Sequence, residues 1–134
     1  PQQLTSVIKS VGNAIQNQKA FMLDIKGLGV FGAQSSPRIF WGAVSEAAPL
    51  YKLQEIVHQT CLNEGFTLET RPYHPHITLA RKWGGNEDFN VDNLVTHNPF
   101  KAKPLSFQIT EIVLYKSNVE NTPKYEPIAT FSLV

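Results

Sequence analysis

One short segment, His74-Pro75-His76-Ile77-Thr78-Leu79-Ala80-Arg81, decides the interpretation of the fold and holds two imidazoles, a hydroxyl and a guanidinium. If the segment is an extended strand, alternate side chains share a face, so His76 and Thr78 point one way while Ile77 and Leu79 enter an apolar layer. Histidine suits proton transfer because its ordinary pKa lies near neutrality. The spacing therefore predicts a reactive face on a strand, although a buried histidine beside a strand-forming threonine would show the same pattern.

The residues around this segment resemble the 2H phosphoesterase superfamily, and within it the LigT-like bacterial RNA 2',3'-cyclic phosphodiesterases, formerly called 2'-5' RNA ligases. Members carry two His-x-(Thr/Ser)-x signatures on facing strands. The second signature is similar to the run Arg71-Pro72-Tyr73-His74-Pro75-His76-Ile77-Thr78-Leu79-Ala80-Arg81. Further similarity lies in residues 27–32, 37–41 and 114–117 and at Tyr125, so the resemblance covers nearly the whole chain and favours a functional motif.

The resemblance implies an α+β fold of the bilobed LigT-like type, in which two curved antiparallel sheets are backed by helices and enclose a groove. It also implies a first His-x-Thr signature on a strand before the helix predicted at residues 4–15. That signature does not occur in this chain. We therefore expect residues 1–134 to form a single 2H phosphoesterase domain that lacks one or more strands at its N-terminus.

Hydrophobic periodicity predicts an order of elements that is compatible with this fold. Apolar spacings of three and four predict helices over residues 4–15 and 48–63, the second ending at Gly65. A strand is predicted to begin at Phe21 and to run into a glycine-rich turn region at 27–32. Further strands are predicted over residues 38–44, at the motif and over residues 128–134. Residues 105–115 predict one long strand with a bulge near Glu111. Residues 82–90 predict an exposed loop that could be mobile enough to cover substrate, followed by a weakly indicated helix at 91–96.

Two other histidines are candidates for the missing partner, and their surroundings argue against both. His58 and Thr60 fit the bare pattern, but they lie in a predicted helix, where residues two apart point about 200° apart. We interpret His58 as a histidine of the helix surface. His97 lies among turn-forming residues without a hydroxyl at the required spacing, which indicates a loop residue.

Length and composition are those of one soluble globular domain, with 134 residues, 42% hydrophobic residues and 17% charged residues. No apolar run is long enough to cross a membrane, and the lone Cys61 cannot form an internal disulfide or a zinc-binding pair. We expect a cytoplasmic monomer without a metal or other cofactor. The net charge of +1 gives no global attraction for duplex nucleic acid, so recognition of an anion must be local.

The resemblance also implies roles for individual residues. His76 would accept a proton, Thr78 would bind a phosphate oxygen, and Arg81 would bind phosphate. Strict alternation from His76, however, sends Arg81 to the opposite face unless the strand ends or twists. Tyr73 and Phe31 could stack on a base, although each of them, taken alone, is better explained by packing.

The function that the resemblance implies is hydrolysis of RNA ends bearing a 2',3'-cyclic phosphate to a 2'-phosphate, on a tRNA-like molecule or an oligonucleotide, with possible reversal as a 2'-5' RNA ligase. Two histidines would move the protons without a metal. Two alternatives stay open. The protein could be a non-catalytic module that binds a nucleotide or RNA phosphate, or a phosphodiesterase for a small cyclic nucleotide.

Overall fold

The protein is described here from a computed structural model, in which residues 2–90, 92–93, 97–100, 102–118 and 125–134 are described. Within those residues the chain forms two helices and six strands. In chain order these are α1 (Gln2–Ile15), β1 (Phe21–Ala33), β2 (Ser36–Val44), α2 (Ala48–Asn63), β3 (His76–Arg81), β4 (Leu105–Ile109), β5 (Glu111–Ser117) and β6 (Tyr125–Ser132). The helix predicted at 91–96 lies largely outside the described residues. None of the helices in the described part of the chain is long and apolar enough to cross a membrane.

The chain divides into two compact units, and each is made of segments that are distant in sequence. Unit 1 contains Pro1–Met22, Ala47–Arg71 and Gln108–Val134, and unit 2 contains Leu23–Glu46 and Pro72–Phe107. Both helices belong to unit 1, together with β5 and β6. The strand with the histidine motif belongs to unit 2.

Unit 1 is built on the apolar stripe of α1, as the periodicity predicts. Val7, Val11 and Ile15 are buried on this stripe, and Ile15 joins Leu53 of α2 and Leu133 in the core. Such a stripe is typical of a helix that packs on other elements, because burial of its apolar face removes that face from water. β5 and β6 form an antiparallel pair.

The end of α2 is fixed against α1 by a carboxylate. The helix stops at Asn63, and Gly65 has a φ of +92°, a left-handed conformation that glycine adopts without a Cβ clash. Between them, Glu64 accepts hydrogen bonds from the hydroxyls of Ser10 at 2.5 Å and Ser6 at 2.6 Å. These two bonds, that of Ser10 first, lower the pKa of Glu64. The predicted helix end is confirmed.

Unit 2 contains a four-stranded sheet in the order β3-β2-β1-β4. β1 pairs with β2 and β2 pairs with β3, both in the antiparallel sense. Among the described strands, β3 therefore has a neighbour on one side only. The core side of this sheet is apolar, with Leu23 and Ile25 of β1 buried.

Two predictions about the strands are wrong. Residues 27–32 are not a turn region, because they continue β1 and pair with β2 as far as Ala33 and Ser36. Residues 105–115 are not one bulged strand, because β4 ends at Ile109 and β5 begins at Glu111 in the other sheet. In both places pairing partners that are distant in sequence decide the structure.

The loop at residues 82–90 is exposed, as predicted, but aromatic contacts anchor it. The Trp83 indole N–H donates to the carbonyl of Glu87 at 2.8 Å, and its ring meets Phe89 at a centroid distance of 5.1 Å. Phe89 in turn lies 6.4 Å from Phe40 of β2. These contacts connect the loop to β2, and its movement over a substrate stays a prediction.

Candidate active site

A bulge in β3 brings the three polar side chains of the motif to one face of the sheet. Trp41 is paired with Thr78 and Phe40 with Ala80, so β3 advances two residues where β2 advances one, and Leu79 is the extra residue. Ala43 is paired with His76 and Ile39 with Arg81. Directly paired residues share a face. His76, Thr78 and Arg81 therefore lie on the same face, and we call it the motif face.

β1 and β2 complete the motif face with aromatic and small residues. Phe31, Gly29 and Gly27 are paired with Ile39, Trp41 and Ala43 respectively. The Trp41 ring occupies the space that a side chain at Gly29 would need, because a Cβ there would overlap three atoms of the indole. Glycine at this position is thus the reason that Trp41 can lie flat across β1.

The ring of His76 is held by a backbone hydrogen bond. Its Nδ1 lies 2.8 Å from the carbonyl oxygen of His74. Because a carbonyl oxygen can only accept, the Nδ1 atom must carry the proton. The lone pair then resides on Nε2, on an exposed side chain. This is the form of histidine that can accept a proton from water.

Three aromatic rings surround His76, and we call Phe31, Trp41 and His74 the aromatic cluster. Phe31 meets His76 edge to face, at a centroid distance of 5.1 Å and an interplanar angle of 89°. Trp41 and His74 lie 6.2 Å and 6.0 Å from the same ring. The cluster limits the rotation of His76 while leaving its side chain open to solvent.

The structure also locates the other predicted residues. Tyr73 is 42% exposed and precedes the motif strand by three residues, and Phe31 lies on the motif face. Arg71 forms an exposed ion pair with Glu69 at 2.6 Å. His58 lies on α2, where the Thr60 hydroxyl donates to the Ile56 carbonyl at 2.7 Å, so the pair does not form a second signature.

Sequence reasoning missed Trp41 and gave His74 too small a part. The sequence alone indicates a position for His74 at the rim of the site, but its carbonyl and its ring both contact the site. Trp41 could have been found from its place in β2, since it alternates with Ile39 and Ala43. Knowing that Gly29 lies opposite requires the register of β1 and β2.

The motif face combines a proton acceptor, a hydroxyl and a cation. Nε2 of His76 can take a proton, Thr78 can donate a hydrogen bond, and Arg81 can donate to oxygens of an anion. Such a set is suited to a reaction in which a proton is removed while negative charge develops nearby.

Comparisons with known proteins identify the family. The family model described as LigT like Phosphoesterase matches residues 43–125, which include the motif strand. The chain belongs to this family. Its identification as a LigT-like 2H phosphoesterase from the motif is thereby confirmed.

Curated relatives give the same result. A protein named RNA 2',3'-cyclic phosphodiesterase from Geobacillus stearothermophilus is 41% identical over 134 residues, which are 100% of this chain and 42% of the relative. A protein of the same name from Bacillus subtilis is 35% identical over 113 residues, or 84% of this chain and 59% of the relative. This LigT-like chain thus spans about half the length of these relatives.

Solved structures confirm the fold. The crystal structure of E. coli LigT complexed with 3'-AMP resembles this chain with a TM-score of 0.72 and 23% sequence identity. The match covers 98% of this chain and 69% of that one. The predicted α+β fold of LigT-like type, with antiparallel sheets and helices, is therefore correct.

Proposed function

We propose that this LigT-like protein hydrolyses 2',3'-cyclic phosphate ends of RNA to a 2'-phosphate. The observation that carries the proposal is the bulge in β3, which sets Arg81 beside His76 and Thr78 on one face. The name that the curated relatives share supports the substrate. The 3'-AMP in the structure of E. coli LigT supports a site for a nucleotide with phosphate near the 3' position.

The proposed mechanism needs two proton movements. Nε2 of His76 accepts a proton from water as the water oxygen attacks phosphorus, and the bond from phosphorus to the ribose 3' oxygen breaks. A donor must protonate that leaving oxygen. The first signature of the family would supply this donor, and the greater length of the curated relatives leaves room for it. Thr78 and Arg81 would stabilise the charge that builds on the non-bridging oxygens.

Some finer features belong to the same proposal. We treat residues 1–134 as one domain, because the family match over residues 43–125 includes segments of both units. Phe31 and Tyr73 would stack on the base that precedes the phosphate. We also propose that the protein is a cytoplasmic monomer that acts on a tRNA-like RNA or an oligonucleotide, which fits a family of bacterial RNA-processing enzymes. The reverse reaction at the same site would join RNA ends through a 2'-5' linkage.

The test is hydrolysis by the full-length protein of an oligonucleotide that ends in a 2',3'-cyclic phosphate, in excess EDTA. The expected product is the 2'-phosphate. Replacing His76 by Ala should lower kcat by about a hundred- to ten-thousand-fold, since that is the typical contribution of a general base.

The matched control is His58→Ala, which removes a half-buried histidine of α2 that lies outside the motif. It should leave kcat unchanged. Full activity of His76→Ala would disprove the mechanism, and binding of the cyclic end without turnover by the wild-type protein would identify a binding module instead. A much faster reaction on a mononucleotide cyclic phosphate than on the oligonucleotide would point to a small-molecule phosphodiesterase.

A further inference from the structure

The carbonyl of His74 determines which nitrogen of His76 can act as a base. The hydrogen bond from His76 Nδ1 to this oxygen, at 2.8 Å, spans only two residues. An imidazole without such a bond is free to exchange its proton between the two nitrogens. The orientation of one peptide group thus decides how much of His76 is in the reactive form.

Pro75 restricts that peptide group from both sides. The oxygen belongs to the peptide bond between His74 and Pro75. The proline ring locks the φ angle of Pro75, and its Cδ confines His74 to extended conformations. Pro75 is half-buried, at the entry to β3. Covalent geometry therefore limits the directions in which the His74 carbonyl can point, and the observed direction is toward His76.

The side chain of His74 anchors the same peptide group to the sheet. Its ring meets Trp41 at a centroid distance of 5.2 Å and Phe31 at 5.4 Å, with interplanar angles of 77° and 70°. These rings come from β2 and β1. The residue before the proline, which precedes β3, is thereby held against two other strands.

From these contacts we infer that Pro75 and the His74 ring are positioning residues, which hold the His74 carbonyl so that His76 stays protonated on Nδ1 and basic on Nε2. Neither side chain needs to touch the substrate. The inference deepens the proposed function and rests on it for the activity measurements, but the state of the His76 ring can be measured independently.

The first experiment compares Pro75→Ala with Pro72→Ala in the full-length protein. Pro72 is an exposed proline of the same segment, two residues before His74, and makes a matched control. Nitrogen-15 NMR of the neutral His76 ring reports its tautomer. Pro75→Ala should shift the two ring nitrogens toward equal protonation and lower kcat about fivefold, which is the scale of one neutral hydrogen bond, with KM unchanged. Pro72→Ala should match the wild type in every measurement.

The second experiment compares His74→Ala with His74→Phe. Alanine keeps the carbonyl but removes the ring, so the NMR shift and the loss of kcat should resemble those of Pro75→Ala. Phenylalanine keeps a flat ring for Trp41 and Phe31 and should restore the wild-type tautomer and kcat. If Pro75→Ala fails to fold, this pair decides alone.

Unchanged ring nitrogens and unchanged kcat in folded Pro75→Ala, or in His74→Ala, would overturn the inference. Failure of the proposed function would look different, because the wild-type protein would then be inactive on the cyclic end. The NMR comparison would still show whether Pro75 and the His74 ring set the tautomer of His76.

Discussion

At Gly29, one missing methyl group gives Trp41 its place beside His76. A Cβ at this position would overlap the indole ring, whereas a Cβ at Gly84 would meet nothing within 4 Å. Overpacking of this kind typically costs about 1–3 kcal/mol. We expect Gly29→Ala to lower Tm by several degrees and to shift the fluorescence of Trp41 as the ring leaves the aromatic cluster.

Gly84→Ala is the control for this prediction, because its backbone φ also lies outside the left-handed range. It should melt like the wild type. An unchanged Tm and emission spectrum in Gly29→Ala would mean that Trp41 does not lie across β1 as described.

The lowered pKa of Glu64 predicts that the stability of the folded protein depends on pH. Because hydrogen bonds from Ser10 and Ser6 lower its pKa in the folded state, the unfolded chain binds a proton more readily than the folded one. The stabilisation is therefore fully present above the ordinary carboxyl pKa, about 4.3, and is lost as the pH falls below it. Glu64→Gln should lower Tm at pH 7 by a few degrees, and the difference from the wild type should shrink toward pH 3.

Thermal melts at pH 7, 5 and 3 would measure this effect. Glu55→Gln is a suitable control, because Glu55 makes one exposed bond within α2, to Gln59 at 3.3 Å. A difference between Glu64→Gln and wild type that stays constant across this range would contradict the role of the charge.

Among the elements, β3 presents Arg81 on the motif face because Leu79 is an extra residue in its pairing with β2. Without the bulge, alternation would turn Arg81 away from His76 and Thr78. A hydrogen bond to a charged group contributes more than one between neutral groups. We expect Arg81→Ala to lower kcat/KM for the cyclic end about 10- to 100-fold.

Lys82→Ala serves as its comparison, because Lys82 follows the strand and has a left-handed φ of 57°. Lys82 carries the same charge but lies beyond the residues of β3 that pair with β2. Removing its side chain should therefore lower kcat/KM much less than removing that of Arg81. Equal losses in the two variants would show that the general positive charge matters rather than the face of the strand.

Elements that depend on interactions local in sequence were predicted accurately, and elements that depend on distant partners were not. Both helices were located to within two residues, because their stripes and end signals are local in sequence. The motif likewise identified His76 and Thr78 as neighbours two residues apart. The bulge at Leu79 and the break at Thr110 depend on partner strands, so periodicity alone placed Arg81 on the wrong face and joined β4 to β5.

At the scale of the whole chain, the division into two units could not be read from composition. No linker separates them, since unit 1 takes three segments and unit 2 takes two. The aromatic cluster shows the same limit at the site. It joins Phe31, Trp41 and His74, whose proximity follows from the pairing of β1 with β2 and from the approach of the segment before β3.

This interleaving has a consequence for proteolysis. A protease that cuts once in the exposed loop at 82–90 divides the polypeptide within unit 2, yet each of the two fragments still contributes segments to both units. Neither fragment contains a complete unit, so non-covalent contacts would have to hold the nicked molecule together. The two separately expressed fragments are thus natural candidates for complementation, with recovery of a cooperative thermal transition reporting their reassembly.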